Sequence, residues 1–251
     1  MERNEALMTA LLRVGDDHLI LGHRVSEWCG HAPMLEEDLA LPNIALDLLG
    51  QARALYTYAG EVEGLGRTED DLAYLRRERE YCNLLLVERP NGDFAHTMLK
   101  QLYFSLFMQL WWQAACASDD AEIAGIAAKA VKECAYHVRH SAEWVIRLGD
   151  GTEESAERMA DAVEDLAPYI GEMFASDAVT DRLAPDTLPD PSALRDSWTH
   201  KIREIFAEAT IDLQEPRASI RGGRDGRHGE EMGFLLAELQ YMQRTYPGAQ
   251  W

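Results

Sequence analysis

The sequence predicts an all-α fold built around a four-helix bundle, with additional helices towards the C-terminus, in one domain over residues 1–251. Apolar residues recur at alternating steps of three and four over several long segments, which is the period of an amphipathic helix. No segment shows sustained alternation of apolar and polar residues, and no Asn-Gly or Asp-Gly pair joins two β-branched runs. The helical period and the missing strand signals together indicate the all-α class.

The composition indicates a folded protein with an acidic surface. Hydrophobic residues make up 47% of the 251 positions, which is enough for a packed core. The 24 Lys and Arg residues against 44 Asp and Glu residues give a net charge of -20 at pH 7. Nucleic acids and anionic lipid surfaces attract basic proteins, so neither is an expected partner.

The sequence also predicts a cytoplasmic location. No apolar run reaches the roughly 18 residues that a membrane span requires. Residues 1–5 lack the basic start and the apolar block of a signal peptide. The four cysteines are scattered without C-x-x-C spacing, so we expect reduced and mostly buried thiols at Cys29, Cys82, Cys116 and Cys134.

The first two long helices are predicted over residues 5–28 and 35–62, separated by a Gly-His-Ala-Pro turn. In the second helix the apolar stripe includes Tyr58 and Val62. Pro42 lies in its first turns, where it either kinks the helix or marks its true start. A short, strongly charged helix follows over residues 70–80.

Two further long helices are predicted over residues 94–117 and 121–148. Asp93 is a suitable N-cap for the first of them, which is rich in aromatic residues. A Ser-Asp-Asp segment at residues 118–120 ends one helix and starts the next. The four long helices therefore form two consecutive hairpins, which is the arrangement of a ferritin-like bundle.

The remainder of the chain is predicted to be helical with one irregular stretch. Thr152 caps a fifth long helix that extends to about residue 174. Residues 175–191 contain three prolines and are interpreted as a linker on the surface. After it come a helix over residues 192–213, a Gly- and Arg-rich loop from Arg221 to Gly229, and a final helix over residues 230–246.

The fourth long helix carries the most distinctive polar residues. Its apolar stripe runs from Ile123 to Leu148 through Cys134 and His137, so both are predicted to point into the core. In carboxylate-bridged di-iron bundles the same i, i+3 pair is Glu-x-x-His, and its side chains reach one metal. The second helix offers Leu48 and Gln51 at inward i, i+3 positions. Leucine has no donor atom and an amide is a weak ligand, so this set predicts a degenerate site.

Three interpretations of these positions stay open. In the first, carboxylates elsewhere complete a di-iron site. In the second, Cys134 and His137 bind zinc with two ligands from other helices. In the third, which we expect, Gln51 and His137 face each other across two helices and are satisfied by hydrogen bonds to each other or to nearby carboxylates.

The loop from Arg221 to Gly229 is the other candidate binding segment. No strand precedes its glycines, so they do not form a phosphate-binding fingerprint. Its three arginines, Arg221, Arg224 and Arg227, either hold an acidic partner segment or a CoA phosphate, or belong to a plain loop.

Several long blocks of the sequence match one known family. They are residues 21–33 (LGHRVSEWCGHAP), 36–40 (EEDLA), 44–53 (IALDLLGQAR), 91–97 (NGDFAHT), 144–155 (WVIRLGDGTEES), 235–244 (LLAELQYMQR) and 246–251 (YPGAQW). In these blocks, which span nearly the whole chain, the sequence resembles the structural subunits of multicomponent phenylacetyl-CoA epoxidases, the PaaC-type family.

The resemblance implies a ferritin-like, non-catalytic structural subunit that acts in aerobic phenylacetate degradation. Its catalytic relative carries two Glu-x-x-His motifs, which align with Leu48/Gln51 and Cys134/His137, so three of the four ligand positions are lost. Glu27 is a candidate remnant of a further carboxylate ligand.

The resemblance also implies partners. They are the homologous di-iron catalytic subunit and the other subunits of the epoxidase complex, while this chain itself holds no cofactor. The chain is expected to pack against the catalytic subunit through a large apolar helix face, and without its partner to self-associate through that same face. The alternative is a ferritin-like di-iron oxygenase that is catalytic in its own right.

Overall fold

The computed structural model describes residues 1–212 and 218–249, and all regular secondary structure within them is helical. The fold is therefore all-α, of the predicted ferritin-like class. The α-helices of the described residues are α1 (Arg3–Ser26), α2 (Leu35–Glu63), α3 (Glu69–Tyr74), α4 (Leu85–Glu88), α5 (Phe94–Ala115), α6 (Ala121–Gly149), α7 (Glu153–Met173), α8 (Ala178–Leu183), α9 (Arg195–Glu208), α10 (Glu230–Leu239) and α11 (Tyr241–Thr245). Short 3-10 helices lie at Glu78–Glu80, Pro191–Leu194 and Gly223–Asp225.

The chain divides into two compact units. The first consists of Met1–Pro90 together with the segment that begins at Arg221, and the second is Asn91–Ile220. Each unit contains one of the two predicted long hairpins, α1 with α2 and α5 with α6. The assignment of residues 1–251 to a single domain stays a prediction.

In the first unit, the inner face of α2 follows the predicted stripe through most of its length. Beyond Leu55, however, the buried residues are Tyr56 and Ala59, and the predicted Tyr58 and Val62 are only partly buried. The reason is a tertiary hydrogen bond, because the Tyr56 hydroxyl donates to Asp16 of α1 at 2.6 Å. Gly15 makes room for this ring, since a Cβ atom there would lie 2.7 Å from Tyr56 Cε1.

The ends of α2 are set by local chemistry. The helix begins at Leu35 and continues through Pro42, so Pro42 does not mark its start. It ends at Glu63 and is capped by Gly64, whose φ of 69° lies in the left-handed region that favours glycine. Within the described residues, neither this helix nor any other combines the length and apolar character that a membrane span requires.

In the second unit, the side chains of Asp93 and Asp120 cap α5 and α6 by accepting hydrogen bonds from backbone N–H groups. The inner face of α6 matches the predicted stripe from Ile123 to Val145. At its end Gly149 is buried in place of the predicted Leu148, because the carbonyl of Ala209 packs directly against Gly149. The sequence does not reveal this close approach.

The interpretation of residues 175–191 as a surface linker is wrong. Asp177 caps the short helix α8 by accepting hydrogen bonds from the N–H groups of Val179 and Thr180. Val179, Leu183 and Leu188 are buried. The segment therefore covers part of the core of the second unit, and its prolines lie where the chain turns.

Two helices at the C-terminus differ from the predicted ones. The final helix is broken at Gln240, which turns inward and donates from Nε2 to the carbonyl of Arg76 and the hydroxyl of Tyr81. The helix predicted over residues 192–213 spans Arg195–Glu208, and residue 213 lies outside the described part of the chain.

Two further predictions need correction. The charged helix predicted over residues 70–80 ends at Tyr74, because Arg76 is drawn into the core. The expectation of mostly buried cysteines is also wrong. Cys29 and Cys116 are exposed where the chain turns after α1 and α5, and only Cys134 is fully buried.

His96 joins the start of α5 to α7 in the second unit. Its Nδ1 lies 2.9 Å from Asp93 Oδ1, and its Nε2 lies 3.1 Å from Asp165 Oδ2. Burial lowers the pKa of His96, but the hydrogen bonds to the two carboxylates outweigh burial and raise the pKa above its ordinary value of 6.5. The bridge is therefore strongest when the imidazole is protonated.

We expect His96→Gln to destabilise the protein only at low pH. Because the folded-state pKa is raised, the contribution of His96 is complete below the unfolded-state pKa and disappears as the pH rises through the folded-state pKa. The variant should therefore have a lower free energy of unfolding than wild type at pH 5 and the same free energy of unfolding at pH 9. The difference at pH 5 should be under about 1 kcal/mol, because the pair is partly exposed. Urea unfolding at both pH values measures it, and a difference that grows with pH would contradict the bridge.

Candidate functional site

The predicted ligand positions of the first unit lie on the inner face of α2. Leu48 and Gln51 are both buried there, one turn apart, and they point in the same direction along the helix. The structure therefore places the two residues as the i, i+3 spacing predicts.

The predicted ligand positions of the second unit lie on the inner face of α6. Cys134 and His137 are both buried. Ser141 lies on the same buried face, and its hydroxyl is satisfied because it donates to the carbonyl of His137 at 2.7 Å. The neighbouring Glu133 points away and lies 3.4 Å from Lys129. The expected contact between Gln51 and His137 stays a prediction.

Glu27 has surroundings unlike those of a core ligand. It follows the last residue of α1, is exposed, and pairs with Arg24 at 2.9 Å. Its carboxylate therefore lies at the solvent-facing end of the helix, not on the buried face.

The residues at the four positions do not fit a di-iron centre. Such a centre needs carboxylate oxygens and imidazole nitrogens, whereas Leu48 has no donor atom and Gln51 has only an amide. Cys134 replaces a hard oxygen ligand with soft sulfur, and His137 alone keeps the matching residue type. Among the described residues, no three His, Cys, Asp or Glu side chains are grouped so that they could hold a metal ion.

The polar centre that sequence reasoning missed is a pair of adjacent carboxylates, Asp16 and Asp17, in the middle of α1. Both are completely buried. Burying a charge is costly unless it is paired and hydrogen-bonded, so each carboxylate requires its own partners. The structure supplies a separate arginine for each.

Asp16 is held by Arg76, by Tyr56 and by the backbone. Both terminal nitrogens of the Arg76 guanidinium donate to its carboxylate, and one of these contacts measures 3.1 Å. The Tyr56 hydroxyl donates at 2.6 Å and the Cys82 N–H at 2.7 Å. Arg76 also donates to the carbonyls of Leu72 and Glu80, so its donors are used within the unit.

Asp17 is held by Arg224, which comes from the Gly- and Arg-rich loop. The guanidinium donates to both carboxylate oxygens at 3.0 and 2.8 Å, and the Leu84 N–H donates at 2.7 Å. Arg224 donates further to the carbonyls of Arg13 and Cys82. The loop is thus not a plain surface loop. The guanidinium of Arg224 binds Asp17, so it is not available for a phosphate or a partner's carboxylate.

A second polar cluster holds the rest of the same loop. The side chains of His228 and Glu88 are almost completely buried, and His228 Nδ1 lies 2.7 Å from Glu88 Oε2. The N–H of Gly229 donates to Glu88 Oε1 at 2.6 Å, and Asn83 donates to Oε2 at 2.9 Å. Burial lowers the pKa of His228, but the hydrogen bond to Glu88, the charges of Glu88 and Glu78 and the hydrogen bond to the carbonyl of Tyr81 together outweigh burial and raise the pKa above 6.5.

The electrostatics of these clusters indicate a structural role. Burial raises the pKa of Asp17 to about 6 although Arg224 opposes the rise, so the carboxyl is ionised at neutral pH. Burial also raises the pKa of Tyr81 to about 12 and that of the Cys82 thiol above its ordinary value. These groups hold their protons at neutral pH, and neither is activated as a base or a nucleophile.

The sequence held one signal for this network. Two consecutive aspartates lie in the middle of a predicted helix between two segments rich in apolar residues, where a buried carboxylate would need a partner of opposite charge. The partners themselves could not be found in this way, because Arg76 and Arg224 lie 60 and 207 residues away along the chain.

Comparison of this sequence with known protein families and with curated proteins gives two matches that agree with each other. A family model described as "Phenylacetic acid catabolic protein" matches residues 1–251. The chain is 45% identical over 241 residues to a protein of Escherichia coli (strain K12) that is named as one of the subunits of 1,2-phenylacetyl-CoA epoxidase. That alignment covers 96% of this chain and 97% of the relative.

We expect Arg224→Met to destabilise the protein strongly, because it leaves the buried carboxylate of Asp17 without its guanidinium. Breaking a buried pair costs about 3–5 kcal/mol, and the lower end applies here because the Arg224 side chain is 21% exposed. Urea unfolding at pH 8 measures the loss. The matched control is Arg227→Met, which removes an exposed pair with Asp225 and should change stability by less than about 0.5 kcal/mol.

The pH dependence provides a second criterion for the same variant. The pKa of Asp17, already raised to about 6, should rise further without Arg224. A raised folded-state pKa means that stability is lost as the pH rises. The variant should therefore be closer to wild type at pH 5 than at pH 8, and equal losses at both pH values would contradict an ionised Asp17 in the pair.

Proposed function

The chain belongs to the phenylacetic acid catabolic protein family, and on this basis we propose that it is a non-catalytic structural subunit of a phenylacetyl-CoA epoxidase. The relative from Escherichia coli has the name of an epoxidase subunit, and the alignment extends over nearly all of both chains. The non-catalytic role rests mainly on one observation, which is that leucine occupies the first of the four ligand positions. Leu48, Gln51 and Cys134 remove three of the four side chains that a di-iron site needs.

In this proposal the catalytic partner subunit holds the di-iron centre. That centre would supply the oxygen chemistry for epoxidation of the aromatic ring, with electrons from a separate reductase. This chain contributes a stable surface against which the partner packs. The buried pairs Asp16–Arg76 and Asp17–Arg224 support this role, because the first fixes the segment after α3 onto α1 and the second fixes the C-terminal segment onto α1.

The proposed partners are the homologous di-iron catalytic subunit and the other subunits of the complex. We place the complex in the cytoplasm, where its acidic surface, with a net charge of -20, favours solubility. Without its partner the chain exposes apolar surface, so self-association is expected at high concentration.

The second candidate function is a di-iron oxygenase that is catalytic in its own right. The observation in its favour is the buried imidazole of His137 on the inner face of α6. For this function, carboxylates outside the four positions would have to supply the missing ligands. The two functions differ in their metal content and in their need for a partner.

We expect the protein, expressed alone in iron-supplemented medium, to contain far less than one iron atom per chain by elemental analysis. The reason is that Leu48 has no donor atom and Gln51 is a weak ligand. The His137→Ala variant is the control, because it removes a candidate ligand and leaves any trace iron bound elsewhere in the protein unchanged. About two irons per wild-type chain, lost in the variant, would support the catalytic alternative.

We expect this chain to form a stable complex when it is mixed with the catalytic subunit. Size-exclusion chromatography with light scattering should give one peak at the mass of a hetero-oligomer, because obligate interfaces bury roughly 2,000 Å² or more. Ring epoxidation should require the catalytic subunit and should be absent with this chain alone. A monomer whose elution does not change on mixing would count against the proposed function.

A further inference from the structure

Helix α2 is apolar on two opposite faces. Its inner face is buried and carries Leu48 and Gln51. Its outer face carries Leu35, Leu39 and Leu46, which are 70%, 60% and 66% exposed, and these three residues are named the outer stripe. At 3.6 residues per turn the outer stripe falls within about 40° of arc, roughly opposite the inner face.

An exposed stripe of this kind is unusual for a surface helix. Such a helix normally has one apolar face and a polar face opposite to it, whereas a helix that is apolar all round is buried. Helix α5 illustrates the second case, since most of its residues are buried. Single exposed leucines are ordinary, but three of them aligned over about 16 Å along one helix are typical of a surface that another chain covers.

The charges on α2 indicate what kind of chain covers it. The helix has one basic residue, Arg53, which pairs with Glu69 at 3.1 Å just beyond the outer stripe. Of its six acidic residues, Glu37 is buried on the inner face, whereas Glu36 and Glu61 are exposed and Asp38, Asp47 and Glu63 are partly exposed. Two copies of this chain that met through the outer stripe would bring the unburied carboxylates together, and like charges across an interface are unfavourable, so self-association there should be weak and limited to high concentration. A surface with lysine or arginine beside its apolar residues is complementary.

We propose that the outer stripe is the centre of the interface with the partner subunit, and that the partner presents there an apolar helical surface flanked by basic residues. This inference rests on the proposed function for the identity of the partner. The three leucines form the apolar core of the contact, and Glu36, Asp38 and Asp47, which lie along the same stretch of α2 and are not buried, form its polar rim. An interface of this class is larger than three side chains, so the contact continues along the neighbouring surface of the first unit.

The test is the affinity of the full chain for the purified catalytic subunit, measured by titration. We expect Leu39→Glu and Leu46→Glu each to raise the Kd at least about tenfold, because each puts a charge into the apolar centre of the contact. The matched control is Leu65→Glu, which changes the same residue type at 77% exposure outside α2 and should leave the Kd unchanged. Thermal melting followed by circular dichroism verifies that each variant folds, and Leu39→Gln is the milder replacement if a charged variant does not.

Salt dependence tests the chemistry of the rim. If basic residues of the partner face the acidic residues of α2, the association rate should fall as salt is added. Glu36→Gln removes one rim charge at an exposed position and should make the association rate less sensitive to salt. Identical salt sensitivity of the association rate in wild type and Glu36→Gln would overturn the proposal that basic residues of the partner face the acidic rim of α2.

The remaining outcomes separate this inference from the proposed function. Equal affinity of Leu39→Glu, Leu46→Glu and wild type would overturn the outer stripe as the interface and leave the proposed function standing. Conversion of a wild-type homodimer into monomers by the same variants, with unchanged partner binding, would identify a second copy as the occupant and overturn the inference. No complex between wild type and catalytic subunit would overturn both.

Discussion

The first unit depends on the burial of two adjacent carboxylates in α1. Asp16 and Asp17 cannot be desolvated as charges without strong compensation, and neighbouring like charges make the problem worse. The fold meets this need with two guanidiniums, Arg76 for one carboxylate and Arg224 for the other, together with backbone N–H donors from residues 82 and 84. Because the partners come from distant parts of the chain, satisfying the two charges also fixes the path of the backbone around α1.

The C-terminal segment shows how far this constraint extends. Once Arg224 is anchored at Asp17, the surrounding loop runs so close to the chain that glycine is required, since Gly223 packs against the carbonyl of Asn83 and Gly226 against that of Arg79. His228 and Gly229 then bind Glu88, and Gln240 turns inward to the carbonyl of Arg76. The segment is thereby held by mutually satisfied polar contacts, in addition to the apolar contacts of the buried Met232, Leu235 and Leu236 of α10.

This architecture is consistent with a subunit that offers structure and no chemistry of its own. The inner faces of α2 and α6 carry residue pairs at the i, i+3 spacing found in di-iron bundles, but three of these four positions hold leucine, glutamine and cysteine. Compared with charged ligands, such residues offer fewer donor atoms and cost less to bury, since fewer charges have to be desolvated. The outer face of α2 is apolar as well, but it is exposed. Its leucines are not covered by the described residues of the chain, so a partner would have to cover them.

The sequence by itself determined the four long helices of the two hairpins and most of their inner faces. The helices predicted over residues 35–62 and 121–148 agree with Leu35–Glu63 and Ala121–Gly149, because apolar periodicity and end signals are local properties. The placement of Leu48, Gln51, Cys134 and His137 on buried faces followed for the same reason. Only the tertiary structure decided which distant residues neutralise Asp16 and Asp17, why Tyr56 and not Tyr58 is buried, and which leucines of α2 stay exposed. These features depend on pairings between residues far apart in the chain, and helical periodicity carries no information about such pairings.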